Sequence, residues 1–370
     1  MKQFSFVILF SLLATCVVAQ KASTTKPVVI GYVGGYRGLA DTSIIEANKL
    51  THINYAFVDV KNNRAYLHNE RTDTINFRNL NGLKLKNPSL KILISIGGWT
   101  WSKNFSDAVL SDTSRKAFAE SAVAIMAKYD LDGVDIDWEY PGLRGDSNVF
   151  RPEDKENYTL MFKALRAELD TLQQTTGKKY LLTTAVGGFL NFLHHTEMGK
   201  AQQYLDYVNL MTYDYGWRTA SHHTNLYSAS KDSMANSADK AVAAFVSAGV
   251  PVSKLVMGIA FYGRGLIVEG DTKRGIDSKI TSHTHVGGYS YIKDSLLTQK
   301  DYRSYWDKKA KAPYIFNATD KKFISYDDER SVKYKCKYVL RHKLAGVMFW
   351  EYADDRKGYL LAEITSTFGN

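Results

Sequence analysis

Cysteine is nearly absent from this chain of 370 residues, which holds only Cys16 and Cys336. Cys16 lies inside an apolar amino-terminal run, so removal of that run would leave Cys336 alone. A lone thiol cannot form an internal disulfide. We therefore predict that the hydrophobic core alone stabilises the fold and that Cys336 is structurally dispensable.

Proline and dense clusters of positive charge are also scarce. The chain has 6 prolines, and its net charge of +10 is spread without a dense Lys/Arg run. This pattern indicates a basic surface rather than a nucleic-acid site, so no nucleic-acid partner is expected. No Gly-x-Gly-x-x-Gly opens a helix, which argues against a doubly wound dinucleotide-binding sheet.

The only long apolar run lies at the amino terminus. Lys2 precedes the apolar residues 4–18, and Val17-x-Ala19 places small residues before a cleavage site. This pattern is typical of a signal peptide over residues 1–19, and the run is too short for a comfortable membrane span. Cleavage before Cys16 as a lipoprotein is the alternative, but Thr15 suits that signal poorly. We predict a secreted or extracellular protein (periplasmic if bacterial) with no transmembrane segment in the mature chain.

Short apolar runs recur along the rest of the chain and alternate with helical patterns. Near-continuous apolar runs fit parallel strands that are buried on both faces. Helical periodicity follows a capping region at Ser111 and Ser114, extends from Pro152 to Gly177, and returns at residues 238–248. The alternation predicts a (β/α)8 barrel. Its strands are expected at residues 28–33, 52–60, 91–99, 180–186, 207–213, 254–262 and 345–352, with an acidic strand that starts near residue 131.

The acidic strand carries three carboxylates in a row. Side chains alternate across a strand, so Asp135, Asp137 and Glu139 share one face, with neighbours about 6.6–6.8 Å apart. Three confined carboxylates cannot all ionise cheaply, and at least one should keep a proton near neutral pH. A protonated carboxylic acid is what cleavage of a glycosidic bond requires.

The acidic row is also compatible with two arrangements that have no catalytic role. It could be the solvated face of an edge strand. It could also be a calcium loop, although Tyr140 stands at the sixth position, where such a loop requires Gly. The pairs His222-His223 and His283-x-His285 hint at metal ligands, but such pairs are usually surface features. No metal and no cofactor is predicted.

The motif Asp132-x-x-Asp135-x-Asp137-x-Glu139 resembles the signature of glycoside hydrolase family 18, the chitinases and their relatives. Further stretches resemble the family's motifs on the third, sixth, seventh and eighth strands, in the order Ser95-Ile96-Gly97-Gly98-Trp99, Met211-Thr212-Tyr213-Asp214, Tyr262-Gly263-Arg264 and Trp350. Residues 263–330 contain short β-like pieces at residues 287–292 and 322–326, and they resemble the small α+β insertion domain that some members carry between strand seven and helix seven. The resemblance then implies a barrel formed by residues 20–262 and 331–370.

The resemblance also implies roles for individual residues. Glu139 would be the general acid, Asp137 would hold the N-acetyl group, and Asp135 would share a proton with Asp137. Tyr213 would donate a hydrogen bond to the acetamido oxygen, and Asp132 would be structural. Trp350 would lie under the cleaved sugar. The implied substrate contacts are Tyr32, Phe57, Ser95, Gly98, Trp99, Tyr140, Met211, Asp214, Tyr262, Arg264 and Trp350, with Tyr32 and Ser95 also supporting Asp135.

The activity implied is hydrolysis of β-1,4 linkages in chitin or N-acetylglucosamine oligosaccharides by a monomer. The alternatives are a lectin-like relative, which typically lacks the acid, and an enzyme that cuts the core of N-glycans, whose relatives generally lack the insertion. Two departures from the family's pattern stand out. Asn225 replaces a usual Pro, and the first loop, Gly34-Gly35-Tyr36-Arg37, is short and lacks a Trp. That loop puts distant subsites at the non-reducing end in question.

Overall fold

Eight parallel strands close into a barrel in the computed structural model, which describes residues 26–216, 219–229, 236–270 and 272–369. Each strand pairs with its neighbour in the chain, and the first pairs with both the second and the eighth. The predicted (β/α)8 barrel is confirmed, whereas the predicted signal peptide lies outside the described residues. The barrel strands are, in order, Val28–Gly34, His52–Lys61, Lys91–Gly97, Gly133–Asp137, Leu181–Gly187, Tyr207–Met211, Leu255–Ala260 and Gly346–Trp350.

Alternation along the strands divides the apolar side chains between two cores. In the first barrel strand, Ile30 and Tyr32 join a small cluster inside the barrel, together with Ala185, Val256 and Met348. The residues between them point outward into the larger core beneath the helices, where every second position of a buried strand is expected to lie.

Helices follow most barrel strands and cover the outer core. The longer ones are Glu70–Gly82, Asp112–Lys128, Asp154–Thr176, Ala238–Ser247, Glu329–His342 and Tyr359–Phe368, and shorter ones are Phe105–Ala108, Leu190–His194, Met198–Ala201 and Tyr289–Asp294. Ser111 and Ser114 form a capping box, and Gly177 ends its helix at φ 70°, both at predicted positions. Among the described residues, none of these helices combines the length and apolarity that a membrane crossing needs.

A second, antiparallel sheet lies in the chain between the seventh barrel strand and the helix Glu329–His342. Its strands are Tyr262–Val268, Ile280–Gly288, Tyr302–Asp307, Ala312–Asn317 and Lys322–Ser325. A further short strand, Arg64–Tyr66, pairs with the end of the second barrel strand. The domain limits at residues 263 and 330 stay a prediction.

The prediction of a β-like piece at residues 287–292 was wrong over most of its length. Gly288 ends a strand, and Tyr289–Asp294 is a helix. The physical reason is that Tyr289 and Ile292 are buried three residues apart, which places both on one side of a helix. A six-residue apolar piece does not distinguish the two structures by its pattern.

A buried ion pair joins three segments at the end of the seventh barrel strand. Lys335 Nζ lies 2.5 Å from Asp327 Oδ2 and 2.6 Å from Thr224 Oγ1, and both side chains of the ion pair are fully buried. Asp327 also accepts a hydrogen bond from the Ala260 N–H at 3.2 Å. Cys336 is a free, buried thiol on the same helix, and its dispensability stays a prediction.

Replacing Lys335 with Met should lower the free energy of unfolding by about 3–5 kcal/mol, because the Asp327 charge is left buried without its partner. The matched control is Lys333→Met on the same helix, where Lys333 is half exposed and pairs with Glu363 at 3.3 Å. That change should cost less than about 1 kcal/mol. Urea unfolding measures both, and equal losses would contradict a special role for the buried pair.

Candidate active site

The fourth barrel strand presents the acidic row to the mouth of the barrel. Val134 and Ile136 are buried in the outer core, and Trp138 stacks there on Phe105 at 5.2 Å between ring centroids. The alternate positions, Asp135, Asp137 and Glu139, therefore point inward. Asp132 lies before the strand, where it accepts a hydrogen bond from the Ile92 N–H at 2.9 Å and pairs with Lys84 at 2.7 Å.

Asp135 is fully buried and is surrounded by hydrogen-bond donors. Tyr32 Oη and Ser95 Oγ donate to Oδ2 at 2.9 and 2.8 Å, and Thr183 Oγ1 and Asn209 Nδ2 donate to Oδ1 at 2.6 and 3.3 Å. Burial raises the pKa of Asp135, and the hydroxyl donors oppose that rise. Thr183 and Asn209 were missed in the sequence. The only sequence feature that marks them as site residues is that each is polar and stands on a buried, largely apolar strand.

Asp137 has a different environment from Asp135. Its Oδ1 is buried without a hydrogen-bond partner among the described residues. Burial, together with the nearby carboxyl groups of Glu139 and Asp135, raises its pKa well above the usual value. Because four donors stabilise the charge of Asp135 and this oxygen of Asp137 is not stabilised in that way, we assign the proton of the pair to Asp137.

Glu139 lies just beyond the end of the strand and is half-buried. Its N–H donates to Ser102 Oγ at 2.9 Å, and Ser102 Oγ donates to the Gly98 carbonyl at 2.8 Å, which fixes the backbone of the acid. Burial raises the pKa of Glu139 to about 7; the negative charge of Asp214 adds to this, and a hydrogen bond from Tyr140 opposes it. Glu139 therefore keeps its proton in weakly acidic solution.

Asp214 is an anion that follows the sixth barrel strand, and its charge contributes to the raised pKa of Glu139. It accepts hydrogen bonds from Tyr262 Oη at 2.7 Å and from Arg264 Nε and Nη2 at 2.7 and 2.6 Å, with His223 Nδ1 at 3.5 Å. Although burial acts the other way, the hydrogen bonds from His223 and Arg264 hold the pKa of Asp214 far below its usual value. The neighbouring Tyr213 ring lies 6.1 Å from Tyr262 and sends its hydroxyl toward Met348 Sδ at 3.7 Å.

Aromatic side chains form much of the surface around these carboxyl groups. Trp350 lies nearly parallel to Phe57 and to Tyr36, at 5.3 and 6.2 Å between centroids. Trp99, which is 52% exposed, lies 6.3 Å from Tyr140. Together with the acids, they line a cleft of about 1150 Å³. Such aromatic surfaces offer flat apolar faces beside a few polar groups, as small-molecule sites do.

The structure brings nearly all predicted site residues to this cleft. The exceptions are Asp135 and Ser95, which lie beneath it, and Gly98, which is not among the lining residues and packs against the Phe57 ring. Sequence reasoning missed several lining residues, namely Tyr36, Arg37, Trp101, Phe189, His285 and Asp354. Trp101 had a detectable signal, two residues after Trp99. The others lie on loops, on the short 3-10 helix Tyr352–Asp355 or on the second sheet, and no local sequence pattern predicts that these segments reach the cleft.

The histidine pairs are distributed among separate contacts. His223 lies against Asp214, and His222 Nε2 is 3.2 Å from Asp307 Oδ2. Over the described ranges, no three His, Cys, Asp or Glu residues form a group that could hold a metal ion. Asn225, which stands where a Pro was expected, donates to the carbonyls of Tyr227 and Asn236 at 3.0 Å each.

The barrel, the acidic row and the aromatic cleft define a glycoside hydrolase. The family model described as Glycosyl hydrolases family 18 matches residues 28–355, and the chain belongs to that family. It is 36% identical to Chitinase A1 of Niallia circulans over 91% of this chain and 58% of that relative, so it spans little more than half of it. It is 33% identical to Chitotriosidase-1 of Mus musculus over 85% of this chain and 69% of that one.

A solved structure is also similar over nearly the whole chain. It is a family 18 N-acetylglucosaminidase from Paenibacillus barengoltzii, with a TM-score of 0.86 and 40% identity, covering 92% of this chain and 99% of that one.

If Glu139 acts as the acid, kcat/KM should fall as pH rises through about 7, by about tenfold per unit well above it. The sign follows from the raised pKa, because the carboxylic acid is the form that donates a proton and it is lost above that pH. Initial rates on a chito-oligosaccharide between pH 5 and 9 would test this. A flat profile up to pH 9 would contradict the assignment.

Proposed function

We propose that this chain is a secreted chitinase that hydrolyses β-1,4 linkages between N-acetylglucosamine units by substrate-assisted, retaining catalysis. The observation that carries the proposal is Glu139, a half-buried acid with a pKa near 7 at the edge of a cleft lined by aromatic rings. The export signal proposed at residues 1–19 supports secretion.

The first step breaks the bond between C1 of the sugar over Trp350 and the glycosidic oxygen. Glu139 gives its proton to that oxygen, and the acetamido carbonyl oxygen of the same sugar forms a bond to C1. This new bond closes a cationic oxazolinium ring, and the shortened chain leaves as an alcohol. Asp137 and Tyr213, which line the same cleft, are proposed to hold the acetamido group in the attacking orientation.

The second step restores the acid. The Glu139 carboxylate takes a proton from water as the water oxygen attacks C1, and the bond from C1 to the acetamido oxygen breaks. Because C1 is inverted twice, the product keeps the β configuration. No group besides water is consumed, and Glu139 ends protonated, as it began.

Asp137 is a poor candidate for a nucleophile from the protein. Retaining enzymes usually place a carboxylate about 5–5.5 Å from the acid and on the other side of the sugar, but this family is an exception that uses the substrate. Asp137 ends the strand that Glu139 follows and lies on the same face, and burial beside Glu139 and Asp135 raises its pKa well above the usual value, which favours the protonated form. A protonated carboxyl group on the same side as the acid cannot attack C1.

The alternatives have specific weaknesses. A lectin-like relative would not need Glu139, its burial or its raised pKa. Cleavage of N-glycan cores requires room for a branched mannose arm, but here the second sheet contributes Arg264, His285 and Gly287 to the lining of the cleft.

Glu139→Gln should reduce the hydrolysis of chitotetraose by about 10²–10⁴-fold, because an amide cannot supply the proton. Its affinity for the oligosaccharide should change little, since the side chain keeps its size. The control is Glu153→Gln, an exposed acid on the barrel surface, which should retain wild-type rates. Turnover and calorimetric binding together test this; activity within tenfold of wild type in Glu139→Gln would remove it from the role.

Oligomers without acetyl groups should be cleaved at least about 10²-fold more slowly than chitotetraose, because the attacking oxygen is absent. A thiazoline analogue of the cyclised sugar should inhibit, and the first product observed by NMR should be the β anomer. Equal rates on acetylated and fully deacetylated tetramers would exclude substrate assistance and require a nucleophile from the protein.

A further inference from the structure

One side of the cleft is closed by contacts between segments that are far apart in the chain. We call these residues the end wall: Tyr36 and Arg37 after the first barrel strand, Glu351 and Asp354 after the eighth, and Gly288 of the second sheet. Tyr36 Oη donates to Glu351 Oε2 at 3.0 Å, and Arg37 Nη2 pairs with Glu351 Oε1 at 2.5 Å. Arg37 Nη2 also lies 3.5 Å from Asp354 Oδ1.

The end wall is tightly built. The Glu351 side chain is fully buried, although it carries the carboxyl group that joins Tyr36 to Arg37. A Cβ added at Gly34 would lie 2.5 Å from Glu351 Oε2, and one at Gly288 would lie 2.3 Å from the Asp354 carbonyl oxygen. Only glycine permits these approaches, so the loop, the turn and the second sheet meet without a gap for a side chain.

The end wall and the acid lie at opposite parts of the barrel mouth. Consecutive strands of an eight-stranded barrel occupy consecutive positions around it, so strand eight lies across from strand four. Trp350 ends strand eight, Glu139 follows strand four, and the wall lies beside strands eight and one. On the side of the acid, Trp99 is half exposed. On the side of the wall, the Tyr36 ring lies parallel to Trp350, with 6.2 Å between centroids.

We propose, resting on the function above, that the end wall leaves room for a single sugar on the non-reducing side of the cleaved bond. The enzyme then binds the non-reducing end of the chain over Trp350 and releases N-acetylglucosamine one unit at a time. Tyr36 and Arg37 both line the cleft, and their side chains would supply polar groups for the free 4-hydroxyl of a terminal sugar. An internal sugar carries a further residue at that oxygen, which the wall excludes.

The test uses chitotetraose with a fluorophore at its reducing end. The wild-type protein is expected to yield the labelled trimer first, whereas Tyr36→Ala/Arg37→Ala should yield labelled dimer because the wall is opened. Both replaced side chains are about half exposed, and a melting curve checks that the variant is folded. If the wild-type protein releases the labelled dimer first, the inference is overturned while the hydrolysis still supports the proposed function. Absence of hydrolysis of every acetylated oligomer overturns both.

Binding supplies a second test that needs no turnover. In the Glu139→Gln background, a tetramer capped by galactose on its terminal 4-hydroxyl should bind at least about tenfold more weakly than the uncapped tetramer. Adding Tyr36→Ala/Arg37→Ala should remove that difference. Tyr36→Phe is the matched control, since it keeps the ring and should still exclude the cap. Equal affinity for capped and uncapped tetramers in Glu139→Gln would contradict the proposal that the end wall excludes a further sugar.

Discussion

The repulsion and desolvation of three carboxyl groups on one short strand determine the properties of this site. The free-energy cost of burying a charged carboxyl group is offset differently at each of the three positions. Asp135 has four donors that stabilise its charge, the buried Oδ1 of Asp137 has none among the described residues, and Glu139 is half-buried beside the anionic Asp214. Charge is therefore favoured at the bottom of the row and a proton is favoured above it. In the proposed mechanism, this gradient keeps Glu139 protonated and able to donate.

The gradient depends on the closed barrel rather than on the strand alone. The donors to Asp135 come from the first, third, fifth and sixth barrel strands, through Tyr32, Ser95, Thr183 and Asn209. Only a sheet that closes on itself brings strands so distant in order to one carboxylate. The same closure places Asp214 and Trp350 around the mouth of the barrel. The electrostatics of the site therefore depend on the fold as a whole.

Sequence reasoning succeeded where a local pattern carries the information. The period of two placed Asp135, Asp137 and Glu139 on one face, and apolar runs located the barrel strands. It failed at residues 287–292, where a short piece fits either structure, and it missed Thr183 and Asn209, because contacts between strands depend on register around the barrel. The sequence identifies Tyr36 only as part of a short loop. Its stacking on Trp350 follows from the close approach that Gly34 permits, which no periodicity encodes.

The end wall and the acid respond to pH in opposite senses. Burial and the neighbouring Asp354 raise the pKa of Glu351 to about 7, while Arg37 and Tyr36 oppose the rise. As pH rises through that value, Glu351 gains the charge that strengthens its pair with Arg37, whereas Glu139 loses the proton that it must donate. In the proposed mechanism, alkaline conditions therefore strengthen the ion pair of the end wall and slow the reaction. Under these proposals, Glu351 after strand eight bears on where the chain is cut and Glu139 after strand four on how fast it is cut, so a change in one property does not require a change in the other.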